Sequence, residues 1–214
     1  MPIEDSVTRT RIKICGLTQV DAAVHAAKAG ADAIGLVFYP PSPRHVEIAR
    51  AREIVLALPA FVSSVALFVN AEIAHVQAVV AQVRPSLLQF HGEESPAYCQ
   101  QFGLPYIKAV RVRPGLDLVQ YATQFLDAQG ILLDAYVAGE AGGTGHRFDW
   151  GLIPDNLPVP MILSGGLDAQ NVARAIQQTR PWAVDVSSGV EAAKGVKDMI
   201  RVEQFIQEVN NAYR

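Results

Sequence analysis

The chain has 214 residues, 50% of them hydrophobic and 18% charged, with a formal net charge of −3, which is enough apolar material for one sizeable core. The lysines and arginines form no basic run, no apolar stretch approaches the ~20 residues of a membrane span, and Met1–Asp5 lacks a basic-then-apolar leader pattern. The expected setting is therefore cytoplasmic, with neither nucleic acid nor membrane as partner, and two cysteines, Cys15 and Cys99, cannot build a disulfide framework.

Along the chain, short β-rich apolar runs alternate with helical patterns, the signature of an α/β protein with a parallel sheet. The predicted strands are Ile12–Cys15, Ala33–Phe38, Ser64–Val69, Leu87–Phe90, Tyr106–Arg111, Ile131–Asp134, Met161–Ser164 and Ala183–Ser187. Between them lie helical patterns at Gln19–Ala29, Glu47–Leu58, Ala71–Val83, Ala169–Gln178 and Lys197–Asn210. In the first of these Val20, Ala23, Val24 and Ala27 recur at helical spacing and Gly30 closes the segment. The connections after the fourth and fifth strands leave room for shorter helices. The glycine- and proline-rich stretch Ala138–Pro158 calls for a missing or reduced helix after the sixth.

Eight strand–helix units suit either an open doubly wound sheet or a closed (β/α)8 barrel. The first strand runs into Cys15-Gly16-Leu17-Thr18, not the G-x-G-x-x-G loop of a dinucleotide fold. Polar or small residues end nearly every strand: Cys15, Tyr39, Asn70, His91, Arg111, Asp134, Ser164 and Ser187. Such residues converge on one mouth in a barrel, so the expected architecture is a single-domain (β/α)8 TIM barrel over 11–214, preceded by an N-terminal extension over 1–10.

Two glycine-rich strand tips, Ser164-Gly165-Gly166 and Ser187-Ser188-Gly189, stand where the seventh and eighth strands give way to loops. Without large side chains there, backbone N–H groups can approach an anion closely, and Asp168 offers an N-cap for a following helix whose positive end adds to the attraction. The pair predicts a phosphate cup and hence a phosphorylated small-molecule substrate. Tight turns are the alternative for either tip alone. Gly143, in the flexible Gly139–Gly145 segment, could add a further N–H group.

Four side chains carry candidate chemistry. Cys15, at the tip of the first strand, is either a nucleophile or general base as thiolate, or a small buried hydrophobe. Asp134 follows three large aliphatic residues, where partial burial would favour its protonated form and suit a general acid, a solvated turn aspartate being the alternative. Arg44 sits in a loop stiffened by Pro40, Pro41 and Pro43, well placed to hold a carboxylate or phosphate, or else begins a surface helix. His91 contacts ligand or hydrogen-bonds within its turn. Cys99 lies in a helical pattern away from any tip, and no histidine or cysteine spacing marks a metal site.

These motifs, taken in order, resemble the phosphoribosylanthranilate isomerase family. The likeness is carried by Lys13-Ile14-Cys15-Gly16-Leu17-Thr18, Gly35-Leu36-Val37-Phe38-Tyr39-Pro40 with Ser42 and Arg44, and Leu88-Gln89-Phe90-His91-Gly92. It continues through Leu132-Leu133-Asp134, Gly142-Gly143-Thr144-Gly145 with Phe148-Asp149-Trp150, Leu163-Ser164-Gly165-Gly166-Leu167, and Val184-Asp185-Val186-Ser187-Ser188-Gly189-Val190-Glu191. About ten residues before the first strand, and Pro41, Pro43 and His45, depart from the pattern. The resemblance implies a cofactor-free and metal-free Amadori rearrangement in tryptophan biosynthesis by a monomer or homodimer. It implies Asp134 as acid, Cys15 as base, and Arg44 on the anthranilate carboxylate. Asp185 would face the sugar, with Gly166, Ser187, Ser188 and Gly143 on the phosphate. Other phosphosugar barrel enzymes, or a non-catalytic phosphate-ligand binder, would share the cup without needing both Cys15 and Asp134.

Overall fold

The computed structural model describes residues 9–135 and 149–213. Eight parallel strands close in chain order into a barrel. They are β1 (Arg11–Cys15), β2 (Ala33–Val37), β3 (Ser63–Phe68), β4 (Leu87–Phe90), β5 (Tyr106–Val112), β6 (Gly130–Ala135), β7 (Met161–Leu163) and β8 (Ala183–Val186). Closure comes from β1 pairing with β8, with Lys13 opposite Asp185 and Ile14 opposite Val186. An open sheet is thereby excluded, and the architecture is the (β/α)8 barrel.

The strands are buried on both faces because helices cover the outside and side chains fill the lumen, as expected of a parallel sheet. Ile107, Ala109, Leu132, Ile162 and Ala183 pack together as the lower filling of the lumen. Alternation then fixes what points inward at the C-terminal ends, since residues two apart on a strand share a face. Above Ala109, Leu132, Ile162 and Ala183 come Arg111, Asp134, Ser164 and Asp185. On the outer faces Ile12, Ile14, Leu36, Phe68, Phe90 and Leu133 join the main core against the helices.

The helices are α1 (Val20–Ala29), α2 (Ile48–Ala57), α3 (Ile73–Val83), α4 (Pro96–Gln100), α5 (Leu118–Ala122), α6 (Val172–Thr179) and α7 (Met199–Asn211), with single 3₁₀ turns at Thr123–Phe125, Trp150–Leu152 and Ser188–Val190. Gly30 ends α1 at φ 116°, its N–H donating to the carbonyls of Ala26 and Ala27. The one-turn α4 and α5 agree with the short connections expected there.

Two helix starts differ from the sequence reading. Asp168 does not cap α6: its carboxylate accepts from Gln170 N–H, and a turn through Asn171 intervenes before Val172. Lys197 does not open α7. Gly195, at φ 81°, turns the chain into a two-stranded hairpin of β9 (Glu191–Ala193) and β10 (Val196–Lys197), and Asp198 caps the helix that follows. At the other end of the barrel, Arg9 pairs with Asp32 and the buried Thr10 lies 3.0 Å from the Tyr213 hydroxyl.

Candidate active site

The mouth at the C-terminal ends of the strands gathers most of the residues singled out in the sequence. Asp134, Ser164, Gly165, Gly166, Asp185, Ser187 and Ser188 line one cavity, so the two glycine-rich tips are neighbours and share their pocket with two carboxylates. Gly165 and Gly166 both take positive φ, 83° and 64°. A Cβ at Gly165 would stand 2.6 Å from Ala135 N and 3.0 Å from Asp134 Oδ1, so the β7 tip lies directly against the end of β6. Gly189 serves the cup from behind. A Cβ there would come within 1.9 Å of Leu167 O, so this glycine lets the two tips touch and does not itself line the cavity. Gly143 lies outside the described residues.

The Ser187 side chain is committed to the scaffold. Its hydroxyl donates to Cys15 O across 3.0 Å, and Lys197 Nζ donates to both Ser187 O and Ser187 Oγ at 3.0 and 3.1 Å. What it can offer an anion is its backbone.

Cys15 is 5% exposed and sits over Gly35, the residue facing it on β2. A Cβ on Gly35 would be 2.7 Å from Cys15 Sγ and 3.1 Å from Lys13 Cε, so only glycine leaves the thiol and the lysine stem their place above the β2 backbone. Burial pushes the Cys15 thiol up from its ordinary value, and the nearby Lys13 and Lys197 cations pull it back only in part. Burial thus works against the thiolate that a base at this position would use, and the two lysines work for it. Lys13 donates to Asp185 Oδ1 across 2.8 Å with both side chains 6% exposed. Burial is the largest single influence and opposes the Lys13 charge, but the attraction and hydrogen bonding of Asp185 and Cys15 together hold the ammonium above its ordinary value.

Asp134 is 4% exposed. Its Oδ1 accepts from Ala135 N–H at 2.9 Å and its Oδ2 lies 3.1 Å from His91 Nε2. His91 therefore meets Asp134 directly, a partner that neither alternative of the sequence reading, ligand contact or a hydrogen bond within the turn, had named. A cavity of about 130 Å³ opens beside it between the tips of β4 and β5, lined by His91, Arg111, Arg113 and Tyr121 among others.

Arg44 is buried and forked onto Glu191, with Nε to Oε1 at 2.7 Å and Nη2 to Oε2 at 2.8 Å. Its stem lies over Gly16, where a Cβ would be 2.6 Å from Arg44 Cδ. Lys197 Nζ also reaches Glu191 Oε1, at 2.8 Å. Burial works against each charge in this trio. The hydrogen bonds from Arg44 and Lys197 nevertheless hold Glu191 below its ordinary value, while Lys197 itself ends below its own. Glu191, Lys197 and Lys13 escaped notice as members of the site. The signal for Lys13 was its place two residues before Cys15 on the same strand face. Cys99, buried in α4, is raised to about 12 by burial and lies away from the mouth.

A family profile described as N-(5'phosphoribosyl)anthranilate (PRA) isomerase matches residues 12–208. The N-(5'-phosphoribosyl)anthranilate isomerase of Nitrosospira multiformis is 58% identical over 199 residues, covering 93% of this chain and 96% of that protein. The Azotobacter vinelandii enzyme is 57% identical, covering 94% and 98%. Among solved structures, phosphoribosyl anthranilate isomerase from Thermotoga maritima superposes with a TM-score of 0.87 at 40% identity, covering 94% of this chain and 99% of that one. A second, with a TM-score of 0.84 at 38% identity and the same coverage, is a complex with reduced 1-(o-carboxyphenylamino)-1-deoxyribulose 5-phosphate. The chain belongs to the N-(5'-phosphoribosyl)anthranilate isomerase family.

Proposed function

We propose that Asp134 and Cys15 are the acid and base with which this isomerase of tryptophan biosynthesis rearranges N-(5'-phosphoribosyl)anthranilate. Asp134 gives a proton to the furanose ring oxygen, and the C1–O bond opens to a Schiff base. Cys15, as thiolate, takes the C2 proton to leave an enolamine, which tautomerises to the ketone of the 1-deoxyribulose product. Electrons move from C2 to C1 within the substrate, so no external oxidant, cofactor or metal is called for. The observation that carries this reading is that the two groups, one at the end of β1 and one at the end of β6, both face the same mouth beside the glycine-rich cup.

The phosphate is held through backbone N–H groups of Gly165, Gly166, Ser187 and Ser188, with Gly143 as a further donor and Gly189 keeping the tips in contact. Arg44, carried on Glu191, meets the anthranilate carboxylate. Asp185, anchored through Oδ1 by Lys13, faces the sugar hydroxyls, and His91 lies beside the reacting ring. The enzyme works in the cytoplasm. No helix among the described residues is long and apolar enough to cross a membrane. A homodimer is the assembly with a precedent, the Thermotoga maritima relative having been described as dimeric.

Anthranilate fluorescence, followed as freshly generated substrate is consumed, tests the assignment. Cys15→Ala and Asp134→Asn should each lower kcat by at least ~100-fold, the low end of a general acid or base contribution, while a product analogue still binds within about tenfold. Near-normal turnover in either variant removes that residue from its role.

A further inference from the structure

We infer that Gln89 and His91 form a positioning pair that aims a hydrogen bond at Asp134 and thereby sets the acid's strength and orientation. The inference rests on the reading of Asp134 as the acid. Gln89 lies on β4 and His91 directly follows its last residue, so the two, two apart in the chain, face inward together. Gln89 Nε2 lies 3.0 Å from His91 Nδ1, and His91 Nε2 lies 3.1 Å from Asp134 Oδ2, with all three side chains buried. An amide nitrogen can only donate, so Nδ1 must accept. The imidazole then carries its hydrogen on Nε2 and donates it to the carboxylate.

The amide is held this way at a cost. Gln89 is fully buried, yet its Oε1 has no hydrogen-bond partner among the described residues. A buried carbonyl left without a donor is unfavourable. Turned around, Oε1 would face Nδ1 and favour the Nδ1–H tautomer, so that Nε2 would accept from Asp134 and no longer donate to it. The observed orientation supplies a single donor instead.

Charged groups from the surrounding elements act on the same carboxylate. Arg111 on β5 is the register partner of Asp134. Asp185 on β8 lines the same cavity, with Lys13 on β1 paired to it. Around His91, the neighbouring cavity brings in Glu93, Arg111, Arg113 and Tyr121. Of these neighbours His91 is the one whose ring nitrogen stands 3.1 Å from Asp134 Oδ2.

The role predicts a signature that a space-filling histidine would lack. In ¹⁵N-histidine, ¹³C-aspartate protein, His91 should show hydrogen on Nε2 and none on Nδ1. His91→Leu should move the Asp134 ¹³Cγ titration midpoint up by about one pH unit or more, the effect of losing one hydrogen bond to a charged group, and should lower kcat through lost orientation and weakened acidity even though more of the acid is then protonated. His91→Gln places an amide nitrogen near the lost Nε2, and should return the midpoint to near the wild-type value together with most of kcat. Gln89→Glu, which does not touch Asp134, should draw hydrogen onto Nδ1 and provides the test if His91→Leu does not fold. The inference is overturned by an Nδ1–H tautomer in the wild type, by an unmoved Asp134 midpoint in His91→Leu, by His91→Gln behaving like His91→Leu, or by an unchanged Nδ1 in Gln89→Glu. Failure of the acid reading is separate: Asp134→Asn would then turn over normally while the tautomer and titration results stood.

Discussion

Lys13 and Asp185 face each other in register across the seam where β1 meets β8, and Lys13 Nζ donates to Asp185 Oδ1 over 2.8 Å with both side chains almost wholly buried. The pair closes the barrel at the level just below Cys15, so one ammonium neutralises a buried carboxylate and draws the neighbouring thiol down against the effect of burial. Neither task suits a neutral side chain. Lys13→Gln should raise the Cys15 thiol further, because burial already pushes it up and Lys13 is the largest influence pulling it down. At neutral pH the thiolate fraction, and with it kcat, should fall about tenfold for each unit of that rise. A kcat at pH 7 equal to that of the wild type would show that Lys13 has no hand in the base. The same variant should lose stability, of order 3–5 kcal/mol when one partner of a buried pair is removed. Lys13→Met with Asp185→Asn should recover part of that in urea unfolding.

The contact between the two phosphate-cup tips gives a second prediction. Gly189→Ala puts a Cβ within 1.9 Å of Leu167 O, so the β7 and β8 tips must separate. KM should rise by about tenfold or more and kcat should fall less, since the loss is chiefly of ground-state binding. Gly103→Ala is the control. Gly103 has φ 67° but nothing within 4 Å of a Cβ, so it should cost about 1–2 kcal/mol of stability from backbone strain and leave KM unchanged. Equal KM values in the two variants would separate the cup from phosphate binding.

Glu191 ties the loop after β2 to the hairpin after β8, and its titration should be visible in the stability of the fold. Burial raises it, but the hydrogen bonds from Arg44 and Lys197 win and hold it below the ordinary 4.5. A carboxyl depressed in the folded state contributes stability that is present above the unfolded value and lost as pH falls through the folded one. Unfolding free energy should therefore drop below about pH 4.5. Glu191→Gln should be less stable than wild type at pH 7, and the gap should narrow in acid. It should also raise KM by freeing Arg44 from its anchor. A gap that does not change with pH would mean the trio contributes through packing alone.

Much of this was legible in the chain. A parallel strand buried on both faces reads as an apolar run, and its polar tip stands out against it, which is why Cys15, His91, Asp134 and Ser187 were identifiable before any fold was seen. The closure that decides between barrel and open sheet was legible only in outline, as tips that would converge. The charged partners were hidden for a different reason. Lys13 and Asp185 are 172 residues apart, and their pairing follows from the register of the closing strands. Lys197 reads as the start of a helix until Gly195 is seen turning the chain back as a hairpin. Arg44 looked like a group waiting for substrate because Glu191, at the far end of the chain, carries no local sign that it will fork onto it. Asp168 reads as a cap because the local pattern fits one, yet its carboxylate accepts from Gln170 N–H, and its own N–H donates to Asn171 Oδ1, in a turn that precedes the helix.

The most direct test of Cys15 as the base is to titrate its thiolate and the reaction side by side. The wild-type minus Cys15→Ala difference in absorbance at 240 nm isolates Cys15, and Cys99, held at about 12, stays protonated over the working range. The midpoint should lie above the ordinary thiol value, as burial dictates. One limb of the kcat/KM profile should share that midpoint, since such limbs report essential groups of the free enzyme, and Lys13→Gln should move thiolate and limb upward together. A limb that departs from the thiolate titration, or that stays in place when Lys13→Gln shifts the thiol, would contradict the assignment of Cys15 as the base.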